Sequence, residues 1–563
     1  MRGDEQRGRR WLAWVVAVML ATTGYGGVRA QAPATAHNLV QIGDADVREW
    51  LTTLSSDAMQ GRGAFTEGYG MAAAYVSEQL RRIGATPLGI DGTYLQPVNR
   101  TSYRVTRRSS VTVEANGSRR TFEQGEHVSF PALAGAQQTL RFSGVDFVGY
   151  GLQGAADGGQ APAGRLVVLL PGIPAESDGA ISSPALTSAS GRAEALVRNG
   201  AGAAIMLGAV TQPAAGGGNG GGNGGGRRDP STVGLTTVLG VDRPRPPVIT
   251  GNEEFFDFLL AGAPVAIADL RGRAERGQTL QSFTLSDVRV TIEIDHTYDL
   301  TGVERTHNVV ASIPGSDPVL RESYVLFAAH LDHVGATSRG AAPGRVNVPV
   351  NQDPIWNGAD DDGSGSVAVL AIAKALAEGP RPRRSVLLIW HAAEEEGLLG
   401  SQASADDPVV PLDHIRAAFN IDMIGRNRDD DEDERDTVYL IGADRISTDL
   451  HNLIESANEG VSRPLKLDYH FNDPGDSESF YTRSDHYSYA SKGIPAAFFF
   501  TGTHADYHAN TDTVDKILFP KLVRITQLIY EAGFGVADRP GDLRRDNRGP
   551  RAGRGFKGRL PTP

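Results

Sequence analysis

Four apolar runs constrain this chain more than any other feature: Tyr324 to Ala329 (YVLFAA), Val386 to Trp390 (VLLIW), Ala417 to Ile421 (AAFNI) and Ala496 to Phe500 (AAFFF). A strand that is apolar at nearly every position must bury both of its faces. With helical stretches between them, such as Ser364 to Ala377, these runs predict an α/β fold: a mixed, largely parallel sheet sandwiched by helices. In sheets of this kind ligands bind beyond the carboxyl ends of the strands. Near those ends the chain carries five polar motifs: HLDH at His330, NGADDDGSG around Asp361, AEEEGLLGS around Glu394, NIDMIG around Asp422 and DYHANTDT around His508.

The residue types in these motifs suit a cation. His330 closes its strand and can offer a neutral imidazole, and Asp332 can turn back to the other ring nitrogen and fix the tautomer. Alone, such a pair is more often a satisfied structural histidine. His333 follows a different turn of the chain and is set aside as non-ligating. Asp360, Asp361 and Asp362 repel one another unless a cation sits among them. A calcium loop would need an alternation and a later Glu that are missing, and acids at a helix N-terminus explain one Asp rather than three. Of Glu394, Glu395 and Glu396, one carboxylate can ligate while its neighbour takes a proton from a metal-activated water; elsewhere in a chain the run would read as a solvated helical turn. Asp422 interrupts an apolar strand, where an unpaired charge is costly and metal ligation relieves the cost. His508 supplies a second imidazole. Tyr507 beside it can donate to a developing oxyanion or simply pack.

Around this segment the chain changes character several times. Residues 44 to 98 carry apolar positions at helical spacing, with Gly84 as a left-handed cap, and 101 to 147 alternate like strands. Residues 140 to 285 form a small α/β unit without a cluster of catalytic residue types, interrupted by the glycine-rich run 216–228, read as a tolerated surface loop. The Arg-, Gly- and Pro-rich stretch 536–563 is expected to be a disordered basic tail. At the other end Arg7, Arg9 and Arg10 precede an apolar stretch from Trp11 to Ala21, and small residues precede a cut near Gln31, so 1–30 reads as a signal peptide. A formal charge of -12 excludes nucleic acid as the main partner, and the absence of cysteine leaves metal binding to His, Asp and Glu.

The five motifs, in this order, resemble the co-catalytic zinc exopeptidases that include bacterial leucyl aminopeptidase, aminopeptidase S, glutamate carboxypeptidase and glutaminyl cyclase. The resemblance assigns 40–139 and 286–535 to a discontinuous zinc peptidase domain and 140–285 to an inserted, β-rich protease-associated (PA) domain. It implies the zinc exopeptidase fold and two zinc ions per chain, with Asp361 bridging them. His330 and Asp422 would complete one site, Glu395 and His508 the other. Glu394 would be the general base, Tyr507 would polarise the scissile carbonyl, and Asp360, Asp362 and Glu396 would be flanking residues.

The function this implies is an exported, periplasmic or secreted aminopeptidase acting on peptides, with no nucleic acid partner and no stable membrane association after signal cleavage. A carboxypeptidase resembling glutamate carboxypeptidase is the alternative, with Arg426, Arg428 and Arg483 available for a substrate carboxylate. A receptor-like binding protein would have lost ligands that this chain retains. The oligomeric state is left open.

Overall fold

A computed structural model describes residues 40–130, 137–152, 163–174, 189–210, 232–235, 247–337, 342–476 and 478–562. The expected signal peptide and the glycine-rich run lie outside the described residues. Two helices come first, α1 (Asp44–Leu54) and α2 (Glu67–Ile83). Each buries one stripe at three- and four-residue spacing: Val47, Trp50, Leu51 and Leu54 in α1, and Tyr69, Ala72, Ala73, Val76 and Leu80 in α2. The side chain of Thr66 accepts from the Tyr69 amide at the start of α2, and Gly84 ends it with φ of 80°, the left-handed cap expected from the sequence.

The larger sheet is built from β1 (Leu95–Val105), β2 (Tyr298–Ile313), β3 (Tyr324–His330), β4 (Ser385–His391), β5 (Ile415–Ile421), β6 (Thr437–Ile441), β7 (Lys466–Asp468) and β8 (Ala496–Phe500). Its order is β7-β6-β8-β5-β3-β4-β2-β1, with Thr232–Leu235 at the β1 edge. The centre, β8-β5-β3-β4, is parallel, whereas β6 and β2 join it antiparallel. The four apolar runs are therefore the four central strands, and their carboxyl ends lie along one edge. Helices α3 (Gly365–Glu378), α4 (Thr448–Gly460) and α5 (Phe519–Asp538) complete the layers.

Alternation along β3 shows how the sheet is covered. Val325, Phe327 and Ala329 join the core that includes Leu51, Leu370 and Leu528 from α1, α3 and α5, while Leu326 and Ala328 face Leu387, Ala418 and Tyr489 on the other side. Burying each large side chain contributes about 1.5–3 kcal/mol. Phe327 stacks on Phe419 at 5.3 Å, and Gly533 of α5 lies so close to the Phe327 ring that a Cβ there would collide with it.

A second sheet has its own core, including Phe122, Phe147, Ile205, Phe255 and Ile292. Its strands run from Ser110–Ala115 to Phe283–Asp295, and the last one pairs antiparallel with both Gln137–Phe147 and Ser110–Ala115. The smaller unit thus draws on 110–295 rather than the expected 140–285. Local alternation at 110–129 cannot reveal a partner strand so far downstream.

The expectation of a disordered basic tail is corrected for 539–562. This stretch lies against α4 and its neighbours, burying Leu543, Ala552 and Leu560. The amides of Arg551 and Ala552 donate to Asp444, the Leu560 amide donates to Asn452, and Arg544 pairs with Asp449 at 2.7 Å. Its cations find carboxylates supplied by the folded body, a match that composition alone does not display.

Candidate metal centre

His330 ends β3 with a side chain only 2% exposed. Its Nδ1 lies 3.0 Å from the backbone carbonyl of Asp332 and donates to it, which leaves the Nε2 lone pair directed away, 3.3 Å from Asp361 Oδ1 and 3.6 Å from Asp422 Oδ1. The sequence reading of Asp332 is corrected in this detail. Its carboxylate is 3.9 Å from Nδ1 and instead accepts the amides of Glu394 and Glu395, at 3.1 and 3.3 Å. Asp332 therefore holds the imidazole through its main chain and the glutamate loop through its side chain.

Asp361 lies between two clusters. Its Oδ2 is 3.1 Å from His508 Nε2, and Glu395 Oε2 is 3.1 Å from the same nitrogen. His333, set aside on sequence grounds, is brought here too: its Nδ1 is 3.1 Å from Glu395 Oε1 and 3.6 Å from Asp361 Oδ2. The turn after β3 is tight enough to direct both His330 and His333 inward. Two groups thus have metal-binding spacing among the described residues, His330 with Asp362 and Asp422, and His333 with Asp361 and Glu395. Asp361 Oδ2, Glu395 Oε1 and both nitrogens of His333 are buried without a hydrogen-bond partner, converging donor atoms of the kind zinc binds. The residues present fit the metal.

Asp362 differs from Asp361. Its two oxygens accept the amides of His330, Gly365 and Met423 at 2.9–3.2 Å, so it works by joining the ends of β3 and β5 to α3. Asp512 accepts the amides of Asp360 and Asp361, and Asp360 accepts the amide of Gly425 and faces His504 Nε2 at 3.2 Å. Asp422 is steadied by the hydroxyl of Ser484, which donates to its Oδ2 at 2.8 Å. The sequence reading missed Ser484, His504 and Asp512 as supports. The last two lie within or beside DYHANTDT, whereas nothing near Ser484 announces its role. Asp485 pairs with His391 at 3.2 Å and His486 stacks on Phe498 at 4.9 Å, and neither joins the two candidate metal groups.

Charge is unevenly shared in the site. Burial raises Glu394 well above the ordinary carboxylate range; His330 opposes this, and Glu395, Asp485 and Asp422 reinforce it. Burial lowers the affinity of His508 for its proton, but Glu395 and Asp361 outweigh it and push the imidazole up to about 11. Tyr507 stacks on the His508 ring at 4.0 Å, and burial beside Asp361 and Glu395 keeps its phenol protonated. Such a constellation can hold cations, accept a proton at Glu394 and donate one at Tyr507.

The fold and the site together define an α/β protein with two candidate metal-binding groups at the carboxyl edge of the parallel strands. Residues 308–533 match the model of Peptidase family M28. Leucine aminopeptidase 1 of Sclerotinia sclerotiorum is 26% identical over 284 residues, 46% of this chain and 67% of that protein. Leucine aminopeptidase 1 of Fusarium vanettenii is 30% identical over 243 residues, 40% of this chain and 55% of its own length. The chain therefore spans about two thirds of the first relative and little more than half of the second. Among solved structures, the aminopeptidase from Aneurinibacillus sp. strain AM-1 aligns with 90% of this chain and 96% of its own at 18% identity, with a TM-score of 0.42.

Proposed function

We propose that this chain is an exported, zinc-dependent aminopeptidase that removes N-terminal residues from peptides. The observation that carries the reading is the position of Asp361, with one oxygen 3.3 Å from His330 and the other 3.1 Å from His508. A carboxylate shared in this way suits a pair of metal ions. His330, Asp422 and Asp361 would hold one zinc, and Asp361, Glu395 and His508 the other. Bound zinc lowers the pKa of a water and polarises a carbonyl oxygen. Glu394, with its raised proton affinity, takes the proton of the attacking water and returns it to the leaving amine. Tyr507 donates to the carbonyl oxygen as negative charge develops there. Asp332, through the two amides it accepts, keeps Glu394 and Glu395 in register with each other.

The carboxypeptidase alternative needs a free cation near this centre. Arg426 is engaged by Asp430 and Asp506, and Arg428 by Asp429 and the Tyr439 ring. Arg483, whose charge reaches Tyr507, is engaged by Glu478 and the Phe480 ring, so it too is a thin basis for a carboxylate pocket. Export rests on the leader-like segment at 1–30; no helix among the described residues is long and apolar enough to cross a membrane. The second sheet, with its separate core, suits an inserted accessory domain.

A panel of aminoacyl-p-nitroanilides beside N-blocked peptides with free C-termini, assayed with zinc and then with chelator, tests the reading. Chelator-sensitive release from the free-amine substrates alone is expected. Cleavage of only the blocked peptides would move the assignment to a carboxypeptidase, and silence on both would overturn the peptidase reading.

A further inference from the structure

Arg62 lies in the turn between α1 and α2, outside every motif that supplies the metal centre, yet it is 1% exposed and reaches the foot of that centre. Its Nε donates to the Leu331 carbonyl at 2.8 Å. Its Nη1 donates to the carbonyls of Leu54 and Asn357 at 2.9 and 2.7 Å, and Nη2 to Gly358 at 2.7 Å, with Asp361 O at 3.5 Å. All of these acceptors are main-chain oxygens, and no ion pair forms among the described residues. A buried cation without a contacting counterion is costly. The charges of Asp362, Asp361, Asp512 and Asp332 compensate at longer range.

The geometry has a second half. The loop Asn357–Asp361 carries its carbonyls to Arg62 and its amides to Asp512, so the segment bearing the shared carboxylate is gripped on both polar edges. The same guanidinium holds Leu331, the residue after His330, and the Arg62 carbonyl accepts the His333 amide at 3.2 Å. A planar fork with five N–H donors can serve all these carbonyls at once; an ammonium cannot.

We propose that Arg62 is a positioning residue of the metal centre, fixing the loop of Asp361 against the end of β3 and so setting the reach from Asp361 to the imidazoles on either side. The inference rests on the metal-centre reading above. It assigns to the N-terminal helical hairpin a part in metal binding that the peptidase family segment lacks on its own.

The test uses the full chain and the variants Arg62→Lys and Arg62→Ala, titrated with zinc against a competing chelator and with cobalt(II) followed by its visible absorption. Wild-type protein is expected to bind two ions; failure to do so would sink the metal-centre reading itself. Given two in the wild type, both variants should bind at least one ion about 10- to 100-fold more weakly, with an altered cobalt spectrum. Millimolar guanidinium, far below denaturing concentrations, should restore affinity in Arg62→Ala and leave Arg62→Lys unchanged. Wild-type affinities and spectra in both variants would overturn the proposal. So would a loss of thermal stability that is equal with and without zinc while affinity is kept, or failure of both variants to fold at saturating zinc, either of which would make Arg62 a strut of the whole fold.

Discussion

Ala393, Met423 and His508 have φ of 55°, 53° and 54°, left-handed values that cost a residue with a Cβ roughly 1–2 kcal/mol each. One precedes Glu394, one follows Asp422 and one is itself a proposed ligand, so backbone strain gathers where side chains must turn inward from strand ends. The roles proposed for these side chains can be separated. Glu394→Gln keeps the shape of the base and removes its proton affinity; kcat should fall by about 10²–10⁴-fold while zinc stoichiometry stays at the wild-type value. His508→Ala should lose one of two zinc ions by metal analysis, whereas His333→Ala should keep both, and the opposite result would exchange their roles. The motif residues were legible because carboxylates and imidazoles at the ends of apolar strands have few other uses. Which atom of Asp332 meets His330, and whether His333 turns inward, depend on one tight turn that spacing does not describe.

The central strands were legible almost to the residue, since a run buried on both faces needs no distant partner to be recognised. Strand Phe283–Asp295 was not, because its identity depends on pairing with residues 136 to 183 positions upstream. Packing between elements makes its own predictions. Gly533 lets α5 approach the Phe327 ring, so Gly533→Ala should destabilise by about 1–3 kcal/mol in urea unfolding without changing zinc stoichiometry. His486, stacked between its short helix and β8, is held down to about 3 by burial first and by Arg445 second. Its ordinary value is near 6.5, so the unfolded chain binds the proton more readily, and stability present above about pH 6.5 is lost as the pH falls toward 3. His486→Phe should flatten that loss, read as a smaller drop in urea midpoint between pH 7 and pH 5 than in the wild type.

Across the whole molecule, the stretch after α5 was misread because its composition suggests solvation while its charges are matched by Asp449 and Glu459 on the body and two of its amides by Asp444. Ending the chain at Asp538 should uncover the surface of α4 and lower unfolding free energy by about 2–4 kcal/mol, with zinc binding retained. A body to which α1, β8 and the final stretch all contribute also has a history on the ribosome. His508 is the last proposed ligand to be made, and Arg62, at the other end, is among the first contributors to emerge. A chain stopped before His508 would hold an open set of donors on the reading proposed above. On the proposed function, nascent copies would stay chemically silent until that residue has been added, a timing safeguard for an enzyme that cuts peptides.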